Sequence, residues 1–309
     1  MSNSIPYPKR ATDYNTQINL LRSRGITIKD EEKAKECLSD IGYYRLGFYS
    51  YPFEKTYPKL NHKRLHDVKP GTSIEDIVAF YYYDFDLRNI LNRYLSRIEV
   101  DIRTTIIYEL SNKYSDNPFW YVDPKIVGNK FITRFTAEYY PRIRENDPIK
   151  RHHRKYSNPY APAWKTMEYM TLGNLEHLYF SLLSNKDRSM ISRKFNEPSF
   201  KAFRNYLSVI CQVRNACAHG NVITLMTLHD NVERGAACPF IRPDDQNTFC
   251  GALKVISFLL KNISVKRAND MWNELYHATL ELYMKVPSLH DLVESKTGIT
   301  LPPDYSYPR

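Results

Sequence analysis

The segment CQVRNACAHGN, residues 211–221, brings together three side chains that can act on a phosphodiester: Arg214, Asn215 and His219. Asn215 and His219 are four residues apart and share one face of a helix. An imidazole can move a proton, a guanidinium can stabilise phosphorane charge, and the amide can orient the ring or the phosphate. Because the 2′-hydroxyl of RNA can attack its neighbouring phosphate, these residue types predict RNA cleavage without a metal or other cofactor. DNA lacks that hydroxyl and would not be cut.

Two other interpretations of this segment stay open. The spacing fits equally well an ordinary surface pair of Arg214 and His219 at the end of a helix. His219 could also join cysteines in a metal site, but their spacing matches none of the paired zinc patterns, so we predict no metal and buried free thiols. The cysteines concerned are Cys211, Cys217 and Cys238. Phosphate-binding loops, dinucleotide fingerprints, HExxH, CxxC and GxSxG are absent from the sequence, which disfavours the corresponding enzyme classes.

Two helices must position these groups. Apolar periodicity predicts a motif helix over residues 199–218, and Gly220 ends it, so His219 lies in its last turn. A pattern free of proline over residues 74–113 predicts one long helix or two joined end to end. Glu99 and Arg103 are four residues apart within it, and we predict that they orient Arg214 or His219. An ordinary ion pair between adjacent helical turns is an equally good explanation.

The pattern of the whole chain predicts an all-α fold, a helical bundle with an N-terminal helical extension and a small irregular or hairpin insertion. Short alternating stretches occur only around residues 57–68 and 222–228, and residues 131–144 form another amphipathic segment. We predict three segments. They are an N-terminal helical extension with a basic loop (1–70), a helical domain (71–285), and a C-terminal helix and tail (286–309), whose last residues, 301–309, are expected to be poorly ordered.

The chain has 309 residues and a formal charge of +10, from 44 Lys and Arg against 34 Asp and Glu, which favours an anionic partner, nucleic acid first. The best phosphate-binding patch is a run of six basic residues, for which a solvated loop is the alternative. The run consists of Lys150, Arg151, His152, His153, Arg154 and Lys155. Tyr43, Tyr44 and Arg45 could stack on or contact RNA, although aromatic residues at helical spacing more often form a core.

Hydropathy and cysteine content predict the compartment. No apolar run approaches the roughly 18 residues that span a bilayer, so we expect no membrane partner. The N-terminus MSNSIPYPKR lacks the apolar core of a secretory signal, and the 5 cysteines are scattered. These features predict a cytoplasmic protein with reduced thiols.

Several blocks, taken in order, resemble the Abi-like family of bacterial abortive-infection proteins, the group with an AbiD/AbiF-type domain. They are IGYYRLGFYSYPF (41–53), SRIEVDIRTTIIYEL (96–110), a WxxxE stretch (164–168), LGNLEHLYFSLL (172–183) and VRNACAHGN (213–221). The resemblance covers roughly residues 15–265. This family is similar to a branch of the HEPN superfamily, which implies a HEPN-like α-helical bundle whose RNxxxH motif is a ribonuclease site.

The resemblance implies that Arg214, Asn215 and His219 correspond to that motif. It also implies a role in phage defence or in a toxin–antitoxin system, in which the protein is toxic because it cleaves RNA. An antitoxin, which can be a non-coding RNA, would control this activity. HEPN sites are commonly assembled across a dimer, so this chain, with one motif, is expected to act as a homodimer. Related members usually carry a second His directly after the motif His, where this chain has Gly220.

Two alternatives to a nuclease follow from the same residues. The first is a catalytically silent RNA-binding protein, in which the basic site holds a regulatory RNA. The second is a DNA-binding regulator, which ranks below it because the sequence shows no helix-turn-helix with an evident recognition helix.

Overall fold

A computed structural model describes residues 10–58, 64–303 and 305. The structure confirms the predicted all-α class: the described residues form helices joined by loops, with isolated β-bridges and no strand among them. The α-helices are α1 (Tyr14–Ser23), α2 (Glu31–Ile41), α3 (Tyr43–Ser50), α4 (Ile74–Lys113), α5 (Asn129–Arg134), α6 (Tyr140–Arg144), α7 (Asp147–Lys155), α8 (Ala163–Thr166), α9 (Leu172–Ser181), α10 (Asn185–Lys194), α11 (Phe200–Ala218), α12 (Phe249–Ile263), α13 (Val265–Lys285) and α14 (His290–Thr297). Short 3-10 turns occur at Tyr51–Phe53, Trp120–Val122, Met167–Tyr169, Pro243–Asp245 and Pro287–Leu289.

The chain divides into two compact units, and the division falls within α4, α13 and α14. Unit 1 consists of Met1–Asp86 and Ala278–Leu292, and unit 2 consists of Leu87–His277 and Val293–Arg309. The three-segment division made from the sequence stays a prediction. Among the described residues, no helix is both long enough and apolar enough to cross a membrane.

Unit 1 begins with two capped helices. The Asp13 carboxylate accepts a hydrogen bond from the backbone N–H of Thr16 at 2.8 Å, which satisfies a free donor at the start of α1. Asp30 caps α2 in the same way. After α3 the chain makes an irregular excursion whose two sides meet in an antiparallel bridge between Glu54 and Val68. Residues 59–63 of the predicted basic loop lie outside the described residues, as do 304 and 306–309 of the predicted poorly ordered tail.

Helix α11 packs against α9, α10 and α12 in unit 2. Ser199 caps its first turn by accepting a hydrogen bond from the Ala202 N–H at 3.2 Å. One face of α11 is buried, and Phe203 on that face stacks on Phe195 with ring centroids 4.8 Å apart. The opposite face of α11 remains at the surface and carries the candidate residues.

The long pattern over residues 74–113 forms one continuous helix, α4. Its unit 2 portion buries Ile98, Ile102 and Ile106, one every four residues, and this spacing leaves Glu99 and Arg103 together at the edge of the buried face. At the C-terminal end of α4, Lys113 forms an ion pair with the buried carboxylate of Asp187 on α10. These contacts fix the end of α4 against the helix that precedes α11.

Two segments have a local structure that their sequence pattern leaves open. The amphipathic segment 131–144 is not one regular helix, because a π turn at Phe135–Tyr139 separates α5 from α6. Pro141 is the second residue of α6. A proline within a helix lacks a donor and clashes with the preceding turn, which the wider π turn relieves. The basic run 150–155 lies in α7, so the alternative of a solvated loop is wrong.

Candidate functional site

The C-terminal end of α11 presents His219 to solvent. His219 caps the helix, and its backbone N–H donates to the Asn215 carbonyl at 3.0 Å. Gly220 then turns the chain with φ +67°, a left-handed conformation that suits glycine, and the Asn221 N–H returns to the Ala216 carbonyl at 2.9 Å. The exposed imidazole is therefore attached to a helix end whose backbone groups are hydrogen-bonded.

Arg214 is held between its neighbour and α4. Its Nη1 donates to Asn215 Oδ1 at 3.0 Å, and its Nε lies 3.7 Å from Glu99 Oε2. Glu99 Oε1 accepts a charged hydrogen bond from Arg103 Nη2 at 2.9 Å, and the same nitrogen donates to the Met170 carbonyl at 3.0 Å. The Glu99 carboxylate thus lies between two guanidinium groups.

Partial burial strengthens the electrostatic interactions within this network. The side chains of Arg103 and Glu99 are 12% and 15% exposed, whereas Arg214 is 33% exposed. Water screens charges less at partly buried positions, so Glu99 restrains the Arg214 guanidinium more effectively than a surface carboxylate would. The structure therefore brings four of the five predicted residues into one network, and His219 stands one helical turn beyond Asn215. That proximity is what an orienting role for Glu99 and Arg103 requires; the role itself stays a prediction.

The sequence interpretation missed Glu176, which lies on α9 within the block 172–183. Helix α9 approaches α11 at Gly173, where a Cβ would lie 3.7 Å from the Cys211 sulfur. Asn215 Nδ2 donates to that sulfur at 3.8 Å. Burial and the Glu176 carboxylate raise the pKa of the Cys211 thiol to about 12. The small residue at position 173 was the available signal, since a helix can approach most closely where no side chain intervenes.

Cys211 is expected to stay unreactive toward iodoacetamide in the native protein at about pH 8, because its raised pKa keeps the thiolate population very small. Peptide mass spectrometry after timed labelling measures this directly. Unfolding in denaturant should make Cys211 reactive toward iodoacetamide. Rapid native labelling of Cys211 would contradict the prediction.

The predicted basic patch is divided by its helix. Lys150, Arg151, Arg154 and Lys155 are exposed on α7, but His152 is buried. His153 is half-buried, and its Nε2 is 2.7 Å from the hydroxyl of Tyr140. Burial lowers the pKa of both rings. Of the exposed four, Lys150 forms an ion pair with Glu145 at 3.0 Å. The two histidines belong to the packing of α7, and an RNA-binding role for this patch stays a prediction.

The aromatic block of α3 belongs to unit 1 and has a buried part and an exposed part. Leu46 and Tyr49 are buried, as the core interpretation of this block expects. Tyr44 is 81% exposed and contacts Phe48 edge to face at 5.0 Å, and Arg45 is half-buried. Contacts of Tyr44 and Arg45 with RNA stay a prediction.

The alternative of a metal site can be compared with the geometry. Across residues 10–58, 64–303 and 305, no group of three or more His, Cys, Asp or Glu side chains is placed to hold a metal ion. The cysteines that were weighed as ligands, Cys211, Cys217 and Cys238, are buried free thiols.

Comparison with known families adds one finding. A family model described as Abi-like protein matches residues 36–224, more than half of the chain. The matched range begins in α2 and ends shortly after α11, so it contains all five residues of the candidate site. No curated protein and no solved structure matches the chain.

Proposed function

The chain belongs to the Abi-like family, and from that premise we propose that it is a metal-independent endoribonuclease of abortive infection, acting in phage defence or as the toxin of a toxin–antitoxin system. The observation that carries the proposal is the arrangement at the end of α11. A guanidinium fixed by Glu99 and Asn215 lies one turn from an exposed imidazole. These are two of the groups that transesterification of RNA uses, a proton carrier and a fixed positive charge.

The proposed reaction proceeds in one displacement at phosphorus. The 2′-oxygen forms a bond to the adjacent phosphorus as it loses its proton, and the bond from phosphorus to the 5′-oxygen breaks as that oxygen gains a proton. His219 transfers one of these two protons, and Arg214 stabilises the charge that develops on the phosphoryl oxygens. Asn215 Oδ1 accepts a hydrogen bond from the Arg214 guanidinium and so orients it. The products are a 2′,3′-cyclic phosphate and a 5′-hydroxyl.

Two proton transfers need two groups, and each chain supplies one motif histidine. We place the second His219 on another copy of the chain, so the complete site forms in a homodimer with a HEPN-like bundle in each copy. Light scattering that finds only monomer at the concentration of full activity would contradict this arrangement. A cytoplasmic location and an RNA or protein antitoxin complete the proposal.

The proposal is tested by incubating the purified protein with end-labelled single-stranded RNA in EDTA. We expect fragments with 2′,3′-cyclic phosphate ends and an unchanged DNA strand of the same sequence. A chimeric RNA with one 2′-deoxy nucleotide at a mapped cleavage position should resist cleavage at that position alone. Cleavage there would show that the 2′-hydroxyl is not the nucleophile and would overturn the mechanism.

A second candidate function is a catalytically silent RNA-binding protein. It is favoured by Gly220, which stands where related members usually carry a second histidine. This candidate predicts tight, salt-dependent binding of RNA with no cleavage between about pH 6 and 8. Preference for duplex DNA over RNA would instead indicate a DNA-binding regulator.

A further inference from the structure

A cleft of about 560 Å³ opens beside α11, at the opposite end of the helix from His219. Residues from the end of α9, from α10, from the first half of α11 and from the segment 230–233 form its walls. We call it the α10–α11 cleft. The lining residues that matter for its chemistry are Phe180, Arg188, Lys201, Arg204, Asp230 and Glu233.

Two guanidinium groups in the cleft already rest on aromatic rings. Arg204 lies over the Phe180 ring at 4.2 Å from its centroid, and Arg188 lies over Phe200 at 5.4 Å. The planar face of a guanidinium, like that of an aromatic ring, is a surface on which RNA bases stack. Lys201 also lines the cleft. The cleft therefore combines a stacking platform with three cationic side chains, those of Arg188, Lys201 and Arg204.

The wall formed by residues 230–233 is tied to α11 by main-chain contacts. Asn205 Nδ2 donates to the Asn231 carbonyl at 2.9 Å, and Asn205 Oδ1 accepts from the Glu233 N–H at 2.9 Å. Glu233 is held through its backbone N–H, so its carboxylate is not needed to position this wall. The carboxylates of Glu233 and Asp230 are both exposed. Carboxylates accept hydrogen bonds from exocyclic amino groups of bases, as they do from cytosine N4.

A polar stripe connects the cleft to the candidate site along α11. Its members recur every three or four residues and are at least partly exposed: Arg204, Ser208, Gln212, Asn215 and His219. At 1.5 Å per residue, the stripe runs about 22 Å from Arg204 to His219, the length of a few nucleotides of single-stranded RNA. A strand lying on this face would reach both places at once.

We propose that the α10–α11 cleft binds one nucleotide of the substrate RNA strand, a few nucleotides from the phosphate that is cleaved. The base stacks on the Arg204 guanidinium, and Lys201 and Arg188 contact the neighbouring phosphate. Asp230 and Glu233 accept hydrogen bonds from the exocyclic amino group, so the cleft prefers cytosine to uracil. This inference rests on the proposed function for the identity of the strand, but its binding test stands apart from cleavage.

The binding test uses fluorescence anisotropy with labelled oligocytidylate and the intact protein. Arg204→Ala is expected to weaken binding about tenfold, in line with the loss of one stacked base. Arg193→Ala is the matched control, because Arg193 is an exposed cation on α10 that does not line the cleft. Arg204→Gln serves as a second variant, and thermal unfolding verifies the fold of each. Equal binding by the Arg204 and Arg193 variants would overturn the subsite.

The predicted preference for cytosine over uracil is tested by comparing two oligonucleotides. Oligocytidylate and oligouridylate are both pyrimidine strands that differ in the exocyclic amino group, so the wild type should bind the former more tightly. The difference should vanish in an Asp230→Ala/Glu233→Ala double variant. Equal binding of both strands by the wild type would overturn the base contact, and competition by free cytidine monophosphate as strong as by the strand would overturn the assignment to a substrate strand.

Cleavage kinetics separate this inference from the proposed function. With a long substrate, Arg204→Ala should raise KM about tenfold and leave kcat unchanged, because the lost contact is remote from the phosphate. With a dinucleotide substrate, too short to reach the cleft, the variant should match the wild type. If the wild type cleaves neither substrate, the nuclease proposal fails, and the anisotropy result still decides the subsite.

Discussion

Replacing His219 with alanine is expected to slow RNA cleavage by about 100- to 10,000-fold, the range that general acid–base groups contribute. The imidazole is exposed at the end of α11, so its loss removes a proton carrier without removing a packing contact. The backbone bonds that close the helix, from His219 to Asn215 and from Asn221 to Ala216, do not depend on the side chain. The effect should therefore appear in kcat, with the melting temperature unchanged.

The matched control is His229→Ala, because His229 is another exposed histidine in unit 2 and its backbone N–H, not its ring, is bonded to Gln212. Both variants are assayed on the dinucleotide substrate under single-turnover conditions. A loss confined to His219→Ala supports its role in proton transfer. Undiminished cleavage by His219→Ala, or an equal loss in both variants, would contradict the site assignment.

A substrate with a sulfur at the bridging 5′ position separates the two proton transfers. A thiolate leaves without protonation, so it removes the need for a general acid. In the proposed homodimer His219→Ala removes both imidazoles, so the thio substrate should recover only the part of the rate that the general acid supplied. Cleavage of the thio substrate by His219→Ala at the wild-type rate would show that neither His219 deprotonates the 2′-hydroxyl.

The helices that carry the site could be predicted from periodicity. The apolar positions of α4 recur without a proline over the whole of residues 74–113, and those of α11 recur until Gly220. Such patterns are reliable because one buried stripe is enough to define the helix and its orientation. They also place Glu99 and Arg103 on one face of α4, which the structure confirms.

Helix α7 shows where periodicity carries too little information. Six consecutive basic residues contain no apolar repeat, so the segment resembles a solvated loop. Its buried residues are Ile149 and His152, three residues apart. The hydroxyl of Tyr140 contacts His153 and accepts the Ala161 N–H at 2.7 Å, and α7 also packs against α8. Contacts from residues distant in the sequence thus stabilise this helix.

The composition of the site was predictable only in part. Arg214, Asn215 and His219 are adjacent in sequence, and the structure shows the Arg214–Asn215 hydrogen bond at 3.0 Å. The approach of α9 at Gly173 depends on packing that one sequence does not express. The α10–α11 cleft depends on a segment whose position is set by side-chain to backbone bonds, which have no period.

Replacing Arg214 with alanine is expected to lower kcat by about 100- to 1,000-fold, the effect of removing one preorganised donor from a developing oxyanion. Arg214 uses Nη1 for Asn215 and directs Nε toward Glu99, so the guanidinium is fixed before the substrate arrives. Arg214→Lys should recover only part of the rate, because an ammonium retains the charge but cannot reproduce the planar fork. Initial rates on the dinucleotide substrate measure both variants.

A double-mutant cycle tests whether Glu99 acts through Arg214. Glu99→Gln preserves the shape of the side chain but removes the charge between the two guanidinium groups, and it should lower kcat in the wild-type background. In the Arg214→Ala background it should have little further effect, since the group that it positions is gone. If the two substitutions lower kcat independently, so that their effects multiply, Glu99 does not act through Arg214. It would then act elsewhere, for example by stabilising the fold through its ion pair with Arg103. A kcat near the wild-type value for Arg214→Ala itself would remove the guanidinium from the mechanism and leave His219 as the only proposed catalytic group.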